Sequence, residues 1–317
     1  MQTQRTSIVD HAQRILSQLR TVIVGKDSVL LWTLAAILAK GHILLEDIPG
    51  VGKTTMAVAF SKVLGLSYNR VQFTPDVLPS DITGYSVLNQ TTGAMEYRAG
   101  AVLCNLFLAD ELNRATSRTQ SALLEAMEER QVTVDGVTHS VPAPFIVIAT
   151  QNPAGAAGTQ LLPDSQIDRF MVSLSLGYPD PKDEVTMLLQ RQGKDPLHVL
   201  QPVVTTEELS NMQTAVAETY VSDEIAAYMV SLVDATRRSS LLLRGASPRA
   251  TLSMAAISKS IATLRGRDYV VPKDVQECFV TALSHRLQTS AEAEGKGMDI
   301  TQALRAILTG VSAPKLR

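Results

Sequence analysis

Pro49-Gly50-Val51-Gly52-Lys53-Thr54-Thr55 stands between an apolar run, His42–Asp47 (HILLED), and a segment, Lys53–Leu64, that fits a helix. Strand, glycine-rich turn and helix in that order make a cradle for phosphates. Glycines let backbone N–H groups curl around β- and γ-phosphates, and the N-terminus of the helix favours their charge. Lys53 is spaced to reach the terminal phosphates, and the Thr54 hydroxyl to coordinate Mg²⁺. Pro49, Gly50, Val51, Gly52 and Thr55 complete the expected nucleotide-binding loop. There is one departure. The strict pattern GxxxxGK[ST] has glycine five residues before Gly52, and this chain has Asp47 there.

Working outward, short apolar runs alternate with helical segments. His42–Asp47, Val71–Thr74, Asn105–Asp110, Phe145–Thr150 and Phe170–Leu176 read as five strands. Four are apolar without clean alternation, as strands covered on both faces are. Arg118–Arg130 and Pro163–Asp168 read as helices between them, and Gln131–Val141 as a hairpin turning at Asp135-Gly136. Upstream, Ile8–Leu19 has amphipathic spacing, and Asp27 is in place to cap a helix ending at Lys40 with Gly41 beyond it. This βα series predicts an α/β fold with a parallel, doubly wound sheet and ligands at the carboxyl ends of its strands. After Tyr178-Pro179-Asp180-Pro181 the pattern becomes wholly helical: Lys182–Gln192, Thr206–Tyr220, Ser222–Arg238, Pro248–Leu264 and Pro272–Leu287. Two domains are expected, 1–178 for the nucleotide and 179–317 as an all-α lid.

Other chemistry gathers at predicted strand ends. Leu106–Ala109 runs into Asp110-Glu111, where Asp110 suits a metal held through phosphate and Glu111 can polarise an attacking water. Asn152, after the fourth strand, reads either as a turn residue or as an amide for the γ-phosphate or lytic water. Arg169 reads either as a surface partner of Asp168 or as a catalytic cation. Arg249 falls in the first turn of the helix that Ser247 caps, where the dipole disfavours a cation. A bound phosphate or an ordinary salt bridge would each offset that.

Composition narrows the rest. The chain has 317 residues, 45% hydrophobic, with net charge −2 and a pI near 6.2. That balance speaks against nucleic acid as the principal ligand. Cys104 and Cys278 are far apart and the five histidines are scattered, so neither a disulfide framework nor a zinc site is expected. The first twenty residues lack a secretory h-region, and the longest apolar stretch, Val29–Ala39, is shorter than the roughly 20 residues a spanning helix needs. Membrane insertion is not expected, and the cytoplasm is the expected compartment.

Taken in order, PGVGKTT, LADELNRATSRTQSALLEAMEERQVTVDG, ATQNP, LPDSQIDRF and GASPRA resemble the MoxR-type AAA+ ATPases over roughly residues 20–290. The resemblance implies a P-loop AAA+ domain with sheet order 5-1-4-3-2 and a helical lid. It also implies a homo-oligomeric ring, usually a hexamer, binding ATP and Mg²⁺ at each boundary. In it Lys53 and Thr54 answer to Walker A, Asp110 and Glu111 to Walker B, and Asn152 to sensor 1. Arg169 answers to the arginine finger and Arg249 to sensor 2, closing the lid on its own subunit's phosphates. Ile23-Val24-Gly25-Lys26 lies where such proteins pack adenine, and Arg114 and Arg118 lie near the boundary in relatives. A second insert is expected at Ser86–Val102. The chain departs from the family near Gly100-Ala101-Val102, Thr116-Ser117, Ala156 and Gln160, and shows no aromatic–hydrophobic–glycine pore motif. The implied role is chaperone-like remodelling or maturation of a client protein, metal-cofactor insertion being one such task, often with a von Willebrand factor A-domain partner. The competing expectations are the motor of a chelatase-type complex, a DNA-remodelling motor and a nucleotide-gated scaffold.

Overall fold

The structure is a computed structural model that describes residues 2–152, 162–190 and 195–315. Helices α1 (Gln2–Arg20) and α2 (Asp27–Leu38) precede strand β1 (Ile43–Glu46), the phosphate loop and helix α3 (Lys53–Val63). Strand β2 (Tyr68–Gln72) leads through α4 (Pro79–Thr83) into a hairpin of β3 (Gly84–Leu88) and β4 (Met95–Ala99). Strand β5 (Leu106–Asp110) and helix α5 (Ser117–Glu129) are followed by the hairpin β6 (Gln131–Val134)–β7 (Val137–Ser140) and by β8 (Ile146–Gln151). Helix α6 (Asp164–Ile167) and β9 (Val172–Leu174) end the sheet-forming part.

Strands β2, β5, β8, β1 and β9 form one parallel sheet in that order, which is 5-1-4-3-2 counted over the five core strands from the other edge. Side chains alternate between two cores, as the pleat requires. Ile43, Leu45, Leu106, Leu108 and Ile148 enter a core with α2, α3 and the helices beyond the sheet, whereas Leu44, Phe107, Ala109 and Val147 enter one beneath α5. Burial on both faces accounts for the unalternating runs in β1, β5 and β8.

Beyond β9 the described residues form helices, short 3₁₀ turns and loops, with isolated bridges at Tyr220–Tyr269 and Leu242–Thr289. The helices are α7 (Pro181–Gln190), α8 (Thr206–Ala217), α9 (Asp223–Arg238), α10 (Pro248–Leu264), α11 (Pro272–Leu283), α12 (Ala291–Gly295) and α13 (Ile300–Gly310). Ser222 and Ser247 cap α9 and α10 by accepting from Ile225 and Ala250 N–H groups. Met254, Ile257, Ile261, Val275 and Phe279 bury the α10–α11 contact in the same core as α2 and α3. Among the described residues no helix is long and apolar enough to cross a membrane.

Several expectations are corrected. The second strand lies at Tyr68–Gln72 rather than Val71–Thr74, because an edge strand exposes Asn69, Arg70 and Gln72 and loses its apolar signature. Asp27 is the first residue of α2, not its cap, and the side chain of Lys26 at the cap makes no hydrogen bond to the helix's first turn. The left-handed residue that ends this helix is Lys40 (φ 59°), and Gly41 is instead needed where a Cβ would lie 2.5 Å from Met171 Sδ. The segment after the two prolines forms α7 over Pro181–Gln190; Gln192, like Ala156 and Gln160, falls outside the described residues. Both expected hairpins form, and Tyr97 of β4 stacks on His139 of β7 with ring centroids 3.7 Å apart.

Buried His42 and half-buried His285 tie elements together in neutral form. His42 Nδ1 accepts from the Val147 N–H at 2.9 Å while Nε2 donates to the Met127 carbonyl at 3.2 Å, and burial pushes its pKa down to about 4. Burial, aided by the Arg286 charge, pushes His285 down to about 3. Both folded values lie below the usual 6.5, so the unfolded chain binds more protons as acidity rises. Their stabilisation is complete above pH 6.5 and is lost as pH falls towards about 4 and 3. Urea midpoints should therefore drop between pH 7 and 5, and His42→Gln should flatten that slope; an equal slope would exclude His42.

Candidate functional site

The loop after β1 reaches the N-terminus of α3 through two left-handed glycines, Gly50 (φ 88°) and Gly52 (φ 98°). Nothing lies within 4 Å of where a Cβ on either would stand, so the loop faces open space. A side chain at such φ would strain the backbone. Asp47 has no such φ and tolerates replacement of the expected glycine. Its buried carboxylate accepts from the N–H groups of Leu176 (2.5 Å) and Gly177 (3.1 Å) and from Ser175 Oγ (3.0 Å), fastening the loop to the chain beyond β9.

Lys53 is buried at the first turn of α3, and its Nζ donates to the carbonyls of Asp47 (2.7 Å) and Ile48 (3.0 Å). Burial lowers its pKa, opposed by Asp47, Asp110 and Glu111. Beside it, Thr54 Oγ1 lies 3.4 Å from Asp110 Oδ2 across the gap between α3 and β5. The other oxygen, Oδ1, accepts from Thr150 Oγ1 at 2.7 Å, and that hydroxyl accepts from the Glu111 N–H at 2.8 Å. One threonine of β8 thus locks both carboxylate residues of the β5 end. It holds Glu111 in a left-handed conformation (φ 55°, ψ 45°) that a non-glycine residue rarely adopts and that concentrates at functional sites.

Glu111 is gripped at both oxygens. Arg114 Nη1 donates to Oε2 at 2.6 Å and Asn152 Nδ2 to Oε1 at 3.4 Å. The Arg114 hydrogen bond, with smaller help from Asn152 and Gln72, holds its carboxyl below the usual carboxylate range against the opposing effect of burial. Glu111 is therefore anionic at neutral pH. In this arrangement Arg114 serves its own Glu111, and Arg118 is exposed at the start of α5.

A cavity of about 670 Å³ joins these groups: the loop Pro49–Thr55, Arg70, Gln72, Asp110, Glu111 and Asn152, walled by Tyr178, Pro179, Glu184 and Met187. Arg70, Gln72 and Thr150 were not foreseen as site residues. The first two lie on the polar edge strand, and Thr150 shows itself only when β8 is set beside β5. Val24 and Gly25, expected at the adenine, do not line this cavity. Gly25 is left-handed (φ 70°) with Asp183 of α7 pressed against it, and Lys26 Nζ donates to the Tyr178 carbonyl at 2.8 Å.

Arg169 and Arg249 do not line it either. Arg169 Nε donates to Glu128 Oε2 (3.1 Å), and Arg249 Nη2 to Oε1 of the same carboxylate (2.5 Å). Asp168, one of the expected partners of Arg169, instead accepts from Ser247 Oγ at 2.9 Å and faces the buried Arg286 at 3.5 Å. These ties hold the start of α10 against the ends of α5 and α6. In this arrangement the anion of Arg249 is Glu128 rather than a phosphate of its own subunit.

The donor set fits a nucleotide and a magnesium ion: free loop amides, a lysine, a hydroxyl and a carboxylate converge on one open space. Among the described residues no group of three or more His, Cys, Asp or Glu is gathered to hold a metal without such a ligand. Both cysteines are buried and pushed up to about 12 by burial, which leaves them unreactive.

Comparison with known proteins agrees. Residues 42–172 match the model of the ATPase family associated with various cellular activities (AAA), and residues 234–307 that of the AAA lid domain. The chain is 42% identical to the uncharacterized protein YeaC of Bacillus subtilis over 96% of its own length and 95% of that protein's. It is 38% identical to the chaperone MoxR1 of Mycobacterium tuberculosis, covering 96% of this chain and 82% of that one. A crystal structure from Cytophaga hutchinsonii, named as that of a "putative ATPase", superposes with a TM-score of 0.91 at 34% identity, over 99% of this chain and 98% of the other. With sheet order, phosphate loop and relatives in agreement, the chain belongs to the MoxR family of AAA+ ATPases, enzymes that hydrolyse ATP.

Proposed function

We propose that this cavity takes Mg-ATP and hydrolyses it at the junction between neighbouring copies of the chain, driving chaperone-like remodelling or maturation of a client protein. The observation that carries the reading is the open cradle at Gly50–Lys53 facing Asp110 and Glu111 in one cavity. The amides of Gly50–Thr55 and Lys53 Nζ bind the phosphates, Lys53 leaving its two carbonyl acceptors to do so. Thr54 and Asp110 hold the magnesium, whose charge offsets that of the triphosphate when it is bound. Glu111 draws a proton from the attacking water as its oxygen bonds to the γ-phosphorus and the β–γ bridge breaks, and Asn152 orients Glu111. The residues before Pro179 form the nucleotide-binding domain and those from 179 to 317 the lid.

Since Arg169 and Arg249 sit together on Glu128 outside their own cavity, both serve the ATP of the next subunit in a homo-oligomer, which we expect to be a hexamer. The chaperone reading is supported by the name of the tuberculosis relative. A von Willebrand factor A-domain protein is the partner to seek, and metal-cofactor insertion is one form the work can take. Calorimetry tests the core of this. The chain should take up ATP with magnesium, and Lys53→Ala should weaken it by about 10²-fold or more, the loss of a charged phosphate contact. A folded wild-type chain that binds no ATP would end the reading.

A further inference from the structure

Asp110 Oδ2 is the carboxylate atom that faces Thr54, yet it already has a cation. Arg70 donates to it from Nη2 at 2.7 Å and from Nε at 3.1 Å, and the same Nη2 also reaches Gln72 Oε1 at 2.8 Å. A carboxylate oxygen has two lone pairs. Arg70 donates twice to Oδ2, which the Thr54 hydroxyl also approaches at 3.4 Å, while Thr150 holds Oδ1. Any magnesium ion or magnesium-bound water that is to use Asp110 must contend with this guanidinium. Arg70 is not a packing residue. Its side chain is 43% exposed, it belongs to the edge strand β2, and it lines the cavity alongside Lys53 and Glu111.

Resting on the Mg-ATP reading above, we propose that Arg70 is a further nucleotide-site residue that exchanges with the metal. Without magnesium it neutralises Asp110 and supplies the pocket's second cation after Lys53. When magnesium takes Oδ2, the freed guanidinium stays in the cavity, where the triphosphate is the available anion. The arrangement has a thermodynamic signature. In the native chain Arg70 supports metal-free ATP and competes with the metal, so magnesium strengthens ATP binding only modestly. Without Arg70, metal-free ATP loses a cation and magnesium loses its competitor.

The test is equilibrium binding of ATP by calorimetry, in EDTA and in saturating Mg²⁺, on a Glu111→Gln parent that does not turn over. Arg70→Ala should raise the ratio of the two Kd values at least tenfold over the parent, or about 1.4 kcal/mol of coupling. Arg70→Lys, which keeps the charge but not the two-pronged contact, should fall between. A ratio within threefold of the parent's in Arg70→Ala, or equal loss of binding in both media, overturns the proposal and leaves a plain ion pair or affinity contact. If the parent itself binds no ATP in either medium, the Mg-ATP reading fails first and this one with it. An exposed edge-strand substitution keeps the fold, which circular dichroism would verify.

Discussion

Glu111→Gln should keep ATP bound and lower turnover by about 10²–10⁴-fold, the range a positioned general base contributes. Glutamine has nearly the same shape, and the backbone features of position 111, the N–H bond to Thr150 and the left-handed turn, do not depend on the side chain's charge. The substitution therefore removes the charge and leaves the place. The charge is what matters, since Arg114, Asn152 and Gln72 keep this carboxyl ionised, ready to take a proton but held from moving. The measurements are phosphate release at saturating ATP and nucleotide affinity by calorimetry. Turnover within threefold of wild type would remove Glu111 from the chemistry. A parallel loss of affinity would instead mean that the substitution had disturbed Asp110 through their shared Thr150.

The difference between Glu111 and Arg70 also shows what the sequence could reveal. β1, β5 and β8 are covered on both faces, so their apolar runs announced them, and the residues after each run were found with them: the phosphate loop, Asp110-Glu111 and Asn152. β2 is an edge strand with polar Asn69, Arg70 and Gln72 in its middle. Read as Val71–Thr74, the strand starts three residues late and leaves out Arg70, which contacts Asp110. Thr150 was read as the end of a strand, because its role exists only across the parallel β5–β8 pairing. Caps within one segment were partly legible: Ser247 is read from its own neighbours, whereas the left-handed residue after α2 is Lys40 and not the neighbouring Gly41 to which the sequence points. Partner choice was least legible of all. Arg169 and Arg249 are 80 residues apart, and nothing local to either names Glu128 as their common anion.

That shared carboxylate makes the second large effect specific. Homogeneous Arg169→Ala should lose about 10³–10⁵-fold in turnover, the range an arginine supplied to a phosphoryl-transfer site is worth, with ATP affinity in the isolated chain unchanged because Arg169 lies outside its own cavity. Mixing decides where it acts. In a one-to-one random mixture of Arg169→Ala and Glu111→Gln subunits, about one junction in four pairs a native Glu111 with a native Arg169 across a head-to-tail interface. Activity should return towards that fraction of wild type, though each parent alone is nearly silent. The same cross with Arg249→Ala separates the sequence expectation from the geometry. A residue that closes on its own subunit's phosphates leaves every junction defective and restores nothing, whereas one held beside Arg169 on Glu128 and facing the neighbour restores activity in the same proportion. Recovery with Arg169→Ala but none with Arg249→Ala would return Arg249 to its own subunit's ATP and require the lid to swing away from Glu128 on binding. Recovery with neither would mean that hydrolysis does not depend on a neighbour's arginine at all.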